Sequence, residues 1–216
     1  TPVILLTDGF LANGAQPWLI PSMAKLPEIK LRIAQEGDDY HPYARDPETL
    51  ARTWALPGTK GLEHRIGGLE KMNITGNISY VPENHQVMTD LRAAKVDRIA
   101  NAIPLQEVYG NSEGGEVLVV GWGGTYGHLY SAVKELRKEG KDVSLTHFNY
   151  INPLPRNTKE IFAKYKKIIV CELNLGQFAA YLRSKCPGFE FLQCNKVAGL
   201  PFTVAEVKEK VGQLFN

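Results

Sequence analysis

Glycines at positions 121, 123, 124 and 127 follow a β-branched run in Glu116-Val-Leu-Val-Val-Gly-Trp-Gly-Gly-Thr-Tyr-Gly127. Glycine at a strand-to-helix turn lets the backbone come close to another group, as it does where a nucleotide phosphate is cradled. A second turn of this kind lies in Lys167-Ile-Ile-Val-Cys-Glu-Leu-Asn-Leu-Gly-Gln177. There Glu172 and Asn174 bring oxygen and amide groups to the end of a strand, and Gly176 and Gln177 open a helix. The tight dinucleotide fingerprint needs glycine at its first, third and sixth positions, and Tyr126 holds the sixth. A looser register through Gly121, Gly123 and Gly127 survives. The acidic residue that would hold a ribose is missing, because the next strand ends Thr146-His147-Phe148-Asn149. No Gly-Lys-Ser/Thr follows the turn, so a P-loop fails.

Two readings stay open for each turn. Gly121–Gly127 is either a nucleotide-binding turn, in an independent Rossmann-like domain, or a close turn from which Trp122 and Tyr126 reach a partner chain. The second is favoured. Glu172, Asn174, Gly176 and Gln177 either contact a cofactor or substrate across a subunit boundary, or cap the helix and bond loop backbone. The interface set is Trp122, Gly123, Gly124, Thr125, Tyr126, Gly127, Glu172, Asn174, Gly176 and Gln177. His64 and His85, with Glu63 and Glu83, show no helical i,i+4 pairing for a metal and read as loop residues. Cys171, Cys186 and Cys194 form no CxxC, no nucleophile pattern and no iron–sulfur set. No catalytic, cofactor-binding or metal-binding residue is assigned.

These turns need a parallel sheet to position them. The pattern predicts strands at 117–120, 143–148, 167–171 and 189–194. Helices are predicted at 126–139, 157–165, 176–184 and 203–215. Gly140 stops the first of these, and Thr203 with Glu206 forms a capping box on the last. Such βα alternation implies an open, mostly parallel α/β sheet with helices on both faces. Upstream, residues 2–7 read as a buried strand followed by an Asp8-Gly9 turn. A short helix is expected within 10–18. A strand with no lead-in rarely opens a domain, so the chain is expected to be the C-terminal piece of a longer polypeptide. Five prolines from Pro21 to Pro57 break up the next segment, and Tyr40, Tyr43 and Trp54 would tie it to another surface. Residues 58–80 read as glycine-rich loop with a short hairpin. A helix over 84–103 would bury Val87, Leu91, Ala94 and Ile99, with Arg92, Lys95, Asp97 and Arg98 facing water.

The 216 residues are 44% hydrophobic with a net charge of +2, enough for a real core and without the basic stripe of a nucleic-acid binder. No apolar run reaches membrane-spanning length, no signal peptide is visible, and reduced thiols fit a cytoplasmic protein.

Several blocks, in this order, carry a family resemblance: Pro2-Val-Ile-Leu-Leu-Thr-Asp8, Gly61-Leu-Glu-His64, Pro82-Glu-Asn-His85, Gly121–Gly127, Asn152-Pro-Leu-Pro155 and Glu172–Gln177. Over essentially its whole length the chain resembles the C-terminal part of the alpha subunit of 2-oxoacid:ferredoxin oxidoreductases, the 2-oxoglutarate type nearest. The resemblance implies a complete enzyme that decarboxylates a 2-oxoacid on thiamine diphosphate, with magnesium. It would pass electrons through an iron–sulfur cluster to ferredoxin and release an acyl-coenzyme A. It implies residues 1–20 as the tail of a pyrimidine-binding thiamine domain and 21–105 as a connecting arm. Residues 106–216 would form a domain like the C-terminal domain of transketolase. Implied partners are a beta subunit of the same enzyme and a second alpha subunit, with ferredoxin reached through the complex and neither nucleic acid nor membrane. The family's thiamine-activating glutamate lies upstream and its diphosphate motif is absent. This chain is therefore expected to hold no cofactor, to be inactive alone, and to serve assembly and a subunit interface.

Overall fold

The computed structural model describes residues 3–7, 9–15 and 17–215. Its centre is a parallel four-stranded sheet of β1 (Gly115–Trp122), β2 (Val143–Phe148), β3 (Tyr165–Glu172) and β4 (Leu192–Asn195). The order across the sheet is β2-β1-β3-β4. The helices between them are α3 (Tyr126–Lys138), α4 (Thr158–Phe162) and α5 (Gln177–Lys185), and α6 (Val204–Gly212) closes the domain. Upstream lie α1 (Gly9–Asn13) and α2 (Pro82–Asp97). The expected open parallel α/β architecture is what the chain adopts.

Period-two alternation divides the strands between two layers. Val117, Val119, Leu145, Ile169 and Cys171 pack under α3 and α6, against Leu129, Val133, Val207 and Val211. Leu118, Val120, Ile168 and Val170 pack on the opposite face with α4 and α5, against Phe162, Phe178 and Leu182. Both faces are covered, which is why the strands read as continuous apolar runs. Gly140 ends α3 at φ +81°, a conformation costly for a side chain, and Lys141 N–H closes on Leu136 O at 3.0 Å. At α6 the capping box forms as expected. Thr203 Oγ1 accepts from Glu206 N–H at 3.2 Å, and the Glu206 carboxylate accepts from Thr203 N–H at 2.7 Å. The Lys196 ammonium, with the Thr203 N–H and hydroxyl, lowers the Glu206 carboxyl to about 2. The outer edge of β2 is covered by an antiparallel contact, with Tyr109 N–H donating to Leu145 O at 2.8 Å and Leu145 N–H returning to Tyr109 O at 2.9 Å.

Two expectations upstream are corrected. Residues 3–7 are not a buried strand: they pair with nothing among the described residues, and Val3, Ile4, Leu5 and Leu6 are exposed. A β-rich run becomes a strand only where a partner supplies hydrogen bonds. Pro2 and Asp8, at the ends of the strand and turn reading, lie outside the described residues. The inward face of α2 also differs. It holds Asn84 and Met88, with Leu91 and Ala94 half-buried, while Val87 and Ile99 are exposed. Its rotation is set by a polar anchor, because buried Asn84 donates to Lys71 O at 3.0 Å and accepts from Asn73 N–H at 2.9 Å. Arg98 does not face water freely; it donates to Pro47 O and Glu48 O.

Residues 32–101 are held mainly by such polar ties. The Lys71 ammonium, only 4% exposed, donates to the carbonyls of Gly67, Gly68 and Leu69 at 2.5, 2.7 and 2.9 Å. Arg45 donates to Asn73 Oδ1 at 2.7 Å, and Arg32 pairs with Asp46. The short hairpin forms where Met72 N–H meets Asn77 O at 2.6 Å. Tyr43 lies under the Arg52 guanidinium at 4.3 Å and Tyr40 against His64 at 5.4 Å, so both are engaged within the segment, while Trp54 stays exposed.

Residues 17–31 bury no side chain. Limited trypsin digestion of this chain should therefore cut first at Lys25 and Lys30, leaving 115–212 intact. First cuts inside 115–212 would show that the sheet is the weaker part.

Candidate functional site

In a doubly wound sheet the ligand crevice opens at the strand C-termini where the order reverses, here between β1 and β3. Trp122 ends β1 and Glu172 ends β3. Sequence reasoning put both in the candidate set, and the structure brings them together. Glu172 is fully buried. Its carboxylate accepts from Trp122 Nε1 at 3.2 Å, from Phe178 N–H at 2.8 Å and from Ala179 N–H at 2.9 Å. The two backbone donors are among the unpaired N–H groups that open α5, so the carboxylate also faces the positive end of that helix. Asn174 Oδ1 takes the next donors, Gly176 N–H at 2.8 Å and Gln177 N–H at 3.0 Å. The capping reading of Glu172 and Asn174 thus describes the geometry.

Trp122 is turned inward. Its ring packs on Phe178 with centroids 5.9 Å apart and joins the core layer beneath α4 and α5. Thr125 is buried as well; its hydroxyl donates to Trp122 O at 2.8 Å and accepts from Trp122 N–H at 3.2 Å. Gly121 serves packing rather than a ligand, since a Cβ there would meet Leu129 Cδ1 at 2.4 Å and Thr125 Oγ1 at 2.9 Å. Gly176 sits at φ +94°, and its Cβ would meet Gln193 Oε1 at 2.6 Å. A phosphate at this crevice would meet a buried carboxylate and N–H groups already taken. The β1–β3 crevice is therefore closed to the anionic part of a nucleotide or of thiamine diphosphate, and these residues do not fit that cofactor.

The outward part of the edge is different. Gly123, Gly124 and Gly127 have open space around them. Tyr126 is 52% exposed, Leu175 is 84% exposed, and Gln177 points to solvent. Beside them opens a cleft of about 810 Å³, lined by Gln106, Glu107, Tyr109, Tyr126, His147 and Tyr150 among others. The rings of His147 and Tyr126 meet edge-on at 5.2 Å, Tyr126 stacks on Tyr130 at 5.7 Å, and Tyr130 lies 4.6 Å from Tyr109. Burial lowers the His147 pKa, against the opposing pull of the Trp122 and Gly123 backbone, and so favours the neutral ring. Sequence reasoning missed this cleft, because its walls come from 104–109, 123–126 and 145–150. The available signal was Tyr126 and Tyr130 at i,i+4, above a strand ending in His147 and Asn149.

Elsewhere, His64 Nδ1 lies 2.8 Å from Leu62 O and His85 pairs with Glu70 at 2.6 Å, apart from each other. No group of three or more His, Cys, Asp or Glu converges among the described residues. Among those residues, no helix is long and apolar enough to cross a membrane.

Known proteins share much of this sequence and fold. Residues 115–209 match the model of the pyruvate:ferredoxin oxidoreductase core domain II family. The chain is 47% identical over 207 residues to the 2-oxoglutarate oxidoreductase subunit KorA of Mycobacterium tuberculosis, a match spanning 96% of this chain and 31% of that protein. It is 28% identical over 219 residues to subunit alpha of 2-oxoacid:ferredoxin oxidoreductase 1 from Aeropyrum pernix, covering 97% of this chain and 34% of that one. The solved 2-oxoglutarate:ferredoxin oxidoreductase from Magnetococcus marinus, with 2-oxoglutarate, coenzyme A and succinyl-CoA bound, superposes with a TM-score of 0.82 at 26% identity. That match spans 91% of this chain and 34% of the other. The resemblance to alpha subunits of 2-oxoacid:ferredoxin oxidoreductases is borne out, and the chain spans about a third of the length of these relatives.

The Trp122–Glu172 lock makes a stability prediction. Glu172→Gln should cost about 2 kcal/mol, since a charged acceptor for buried donors is lost. Trp122→Ala should cost about 3 kcal/mol from lost packing. Their sum should exceed the double mutant by at least ~0.5 kcal/mol, because the two side chains share one contact. Urea denaturation of the single and double mutants measures this coupling, and simple additivity would show that the contact is not energetic.

Proposed function

We propose that this chain is the C-terminal part of the alpha subunit of a cytoplasmic, thiamine-diphosphate-dependent 2-oxoacid:ferredoxin oxidoreductase. Its role there is to seat subunits against one another. The complete enzyme would oxidatively decarboxylate 2-oxoglutarate to its acyl-coenzyme A and reduce ferredoxin. The observation that carries this reading is the 47% identity to a 2-oxoglutarate oxidoreductase subunit across 96% of the chain. We place residues 1–20 in the tail of a pyrimidine-binding domain, 21–105 in a connecting arm and 106–216 in a transketolase-C-like domain. Magnesium, the iron–sulfur cluster and the diphosphate site belong, in this reading, to the beta subunit and the rest of the assembly.

The interface role follows from the chemistry of the edge. At β1–β3 the strongest polar groups are spent on holding the fold. What faces outward is apolar and aromatic: Tyr126, Leu173, Leu175 and the cleft tyrosines, with Gln177 beside them. Exposed aromatics on a rigid turn have the composition of interface anchors. The surface to test is therefore Gly123, Gly124, Tyr126, Gly127, Leu175 and Gln177, backed by the inward set Trp122, Thr125, Glu172, Asn174 and Gly176. An independent nucleotide-binding domain is disfavoured by the buried Glu172 carboxylate and the missing ribose acid at Thr146–Asn149.

Four measurements test the proposal. Co-expression of the complete alpha subunit with its beta subunit should give viologen reduction dependent on both 2-oxoglutarate and coenzyme A. This chain alone should give none, and calorimetric titration with thiamine diphosphate and magnesium should show no specific heat. Micromolar binding to the isolated chain, or a rise in its melting temperature with NAD(P), would favour the nucleotide-domain reading. Tyr126→Ala with Leu175→Asp should leave the isolated fold intact and weaken subunit association by about tenfold or more. Unchanged association would move the interface elsewhere.

A further inference from the structure

All three cysteines are free thiols in this structure, but two of them are placed to react together. β3 and β4 pair in parallel with Cys171 directly opposite Cys194. Residues in register on adjacent strands project to the same face, with backbones about 4.8 Å apart. A disulfide accepts Cα separations of about 4.4–6.8 Å. Both cysteines belong to the layer beneath α3 and α6. Cys186 is buried in the layer on the opposite face of the sheet. The sheet itself therefore selects one pairing out of the three that three cysteines allow.

The two thiols differ in a useful way. Cys171 is fully buried on an inner strand, whereas Cys194 is half-buried on β4, a four-residue strand at the edge of the sheet. A small oxidant reaches Cys194 first. The neighbouring Cys171 thiol lowers the Cys194 pKa and burial opposes it; of the nearby charges Lys210 lowers it and Glu206 raises it. The same contact, with burial, holds the Cys171 thiol protonated. A half-buried thiol in register with a fully buried one is the arrangement of an attacking and a resolving cysteine.

We propose that Cys171 and Cys194 form a reversible oxidation site, in which hydrogen peroxide converts the pair to a cross-strand disulfide and a thiol reductant restores it. Cys194 thiolate attacks one peroxide oxygen; the O–O bond breaks, hydroxide leaves and takes up a proton as water, and Cys194 becomes a sulfenic acid. Cys171 sulfur then attacks Cys194 sulfur and gives up its proton. The S–O bond breaks, and the hydroxyl leaves with that proton as a second water. Two thiols lose two electrons in all, and the peroxide becomes two waters. Closure asks the Cβ atoms to approach to about 3.5–4.5 Å, a movement that a short edge strand permits. A bond made by such a movement is readily reduced, as befits a reversible site. The inference does not depend on the function proposed above.

Peptide mapping of the native assembly tests it. The protein is treated with hydrogen peroxide, unfolded in N-ethylmaleimide and digested with trypsin and a glutamate-specific protease. The second enzyme cuts after Glu190 and so separates Cys186 from Cys194. The expected product is peptide 168–172 joined to 191–196, with Cys186 alkylated and the link lost on treatment with dithiothreitol. Cys194→Ser should remove the link and leave Cys171 as a free thiol. Cys171→Ala should leave Cys194 as a sulfenic acid that dimedone traps. Should Cys194 pass to sulfinic acid in the wild type while Cys171 stays free, the pair does not resolve and the proposal fails. It also fails if the link involves Cys186, or if peroxide leaves both thiols unchanged.

Discussion

A buried carboxylate is the constraint on which the α/β domain turns. Glu172 has no solvent contact and sits where the sheet order reverses, so its charge must be met by donors fixed in place. Two come from the first turn of α5 and one from the indole of Trp122. This single group ties the end of β3 to the start of α5 and to the end of β1. It also fixes the direction in which α5 leaves the sheet. Asn174 completes the closure by taking the remaining donors at the turn.

That closure has a functional consequence. A doubly wound sheet ordinarily keeps its reversal point for a ligand, and the helix N-terminus there attracts anions. Here the protein's own anion occupies that place. The edge is left with a rigid turn, exposed aromatics and a neighbouring cleft in which burial lowers the His147 pKa. In the function proposed above, a rigid surface of this kind seats other parts of the enzyme and leaves the reacting groups to them. The polar-knotted segment 32–101 fits the same role, since it keeps its shape with few buried apolar side chains and leaves large apolar ones exposed.

Most of the α/β domain was legible in the sequence, because its signals are local. Strand runs, the Gly140 stop and the Thr203–Glu206 box each depend on residues within a few positions and appear near where expected, although β4 begins at Leu192 and not at 189, and α4 ends at Phe162 and not at 165, where β3 has begun. Readings failed where the determinant was distant. Residues 3–7 have strand composition, but pairing decides strands. The face of α2 followed Asn84, whose partners Lys71 and Asn73 lie in a hairpin. Trp122 looked like a partner-seeking aromatic because its mate, Glu172, is 50 residues away. The tyrosine cleft and the Cys171–Cys194 register were invisible for the same reason, since both exist only once strands are placed side by side.

The central claim is that the β1–β3 crevice holds the fold and takes no part in the chemistry. The most direct test is turnover per assembled complex, measured for the complete enzyme carrying Glu172→Gln at a temperature where the variant stays folded. The account predicts fewer assembled complexes, each with wild-type kcat and wild-type KM for the 2-oxoacid and for coenzyme A. A fully assembled complex with a large loss of kcat would contradict it and make Glu172 part of the reaction.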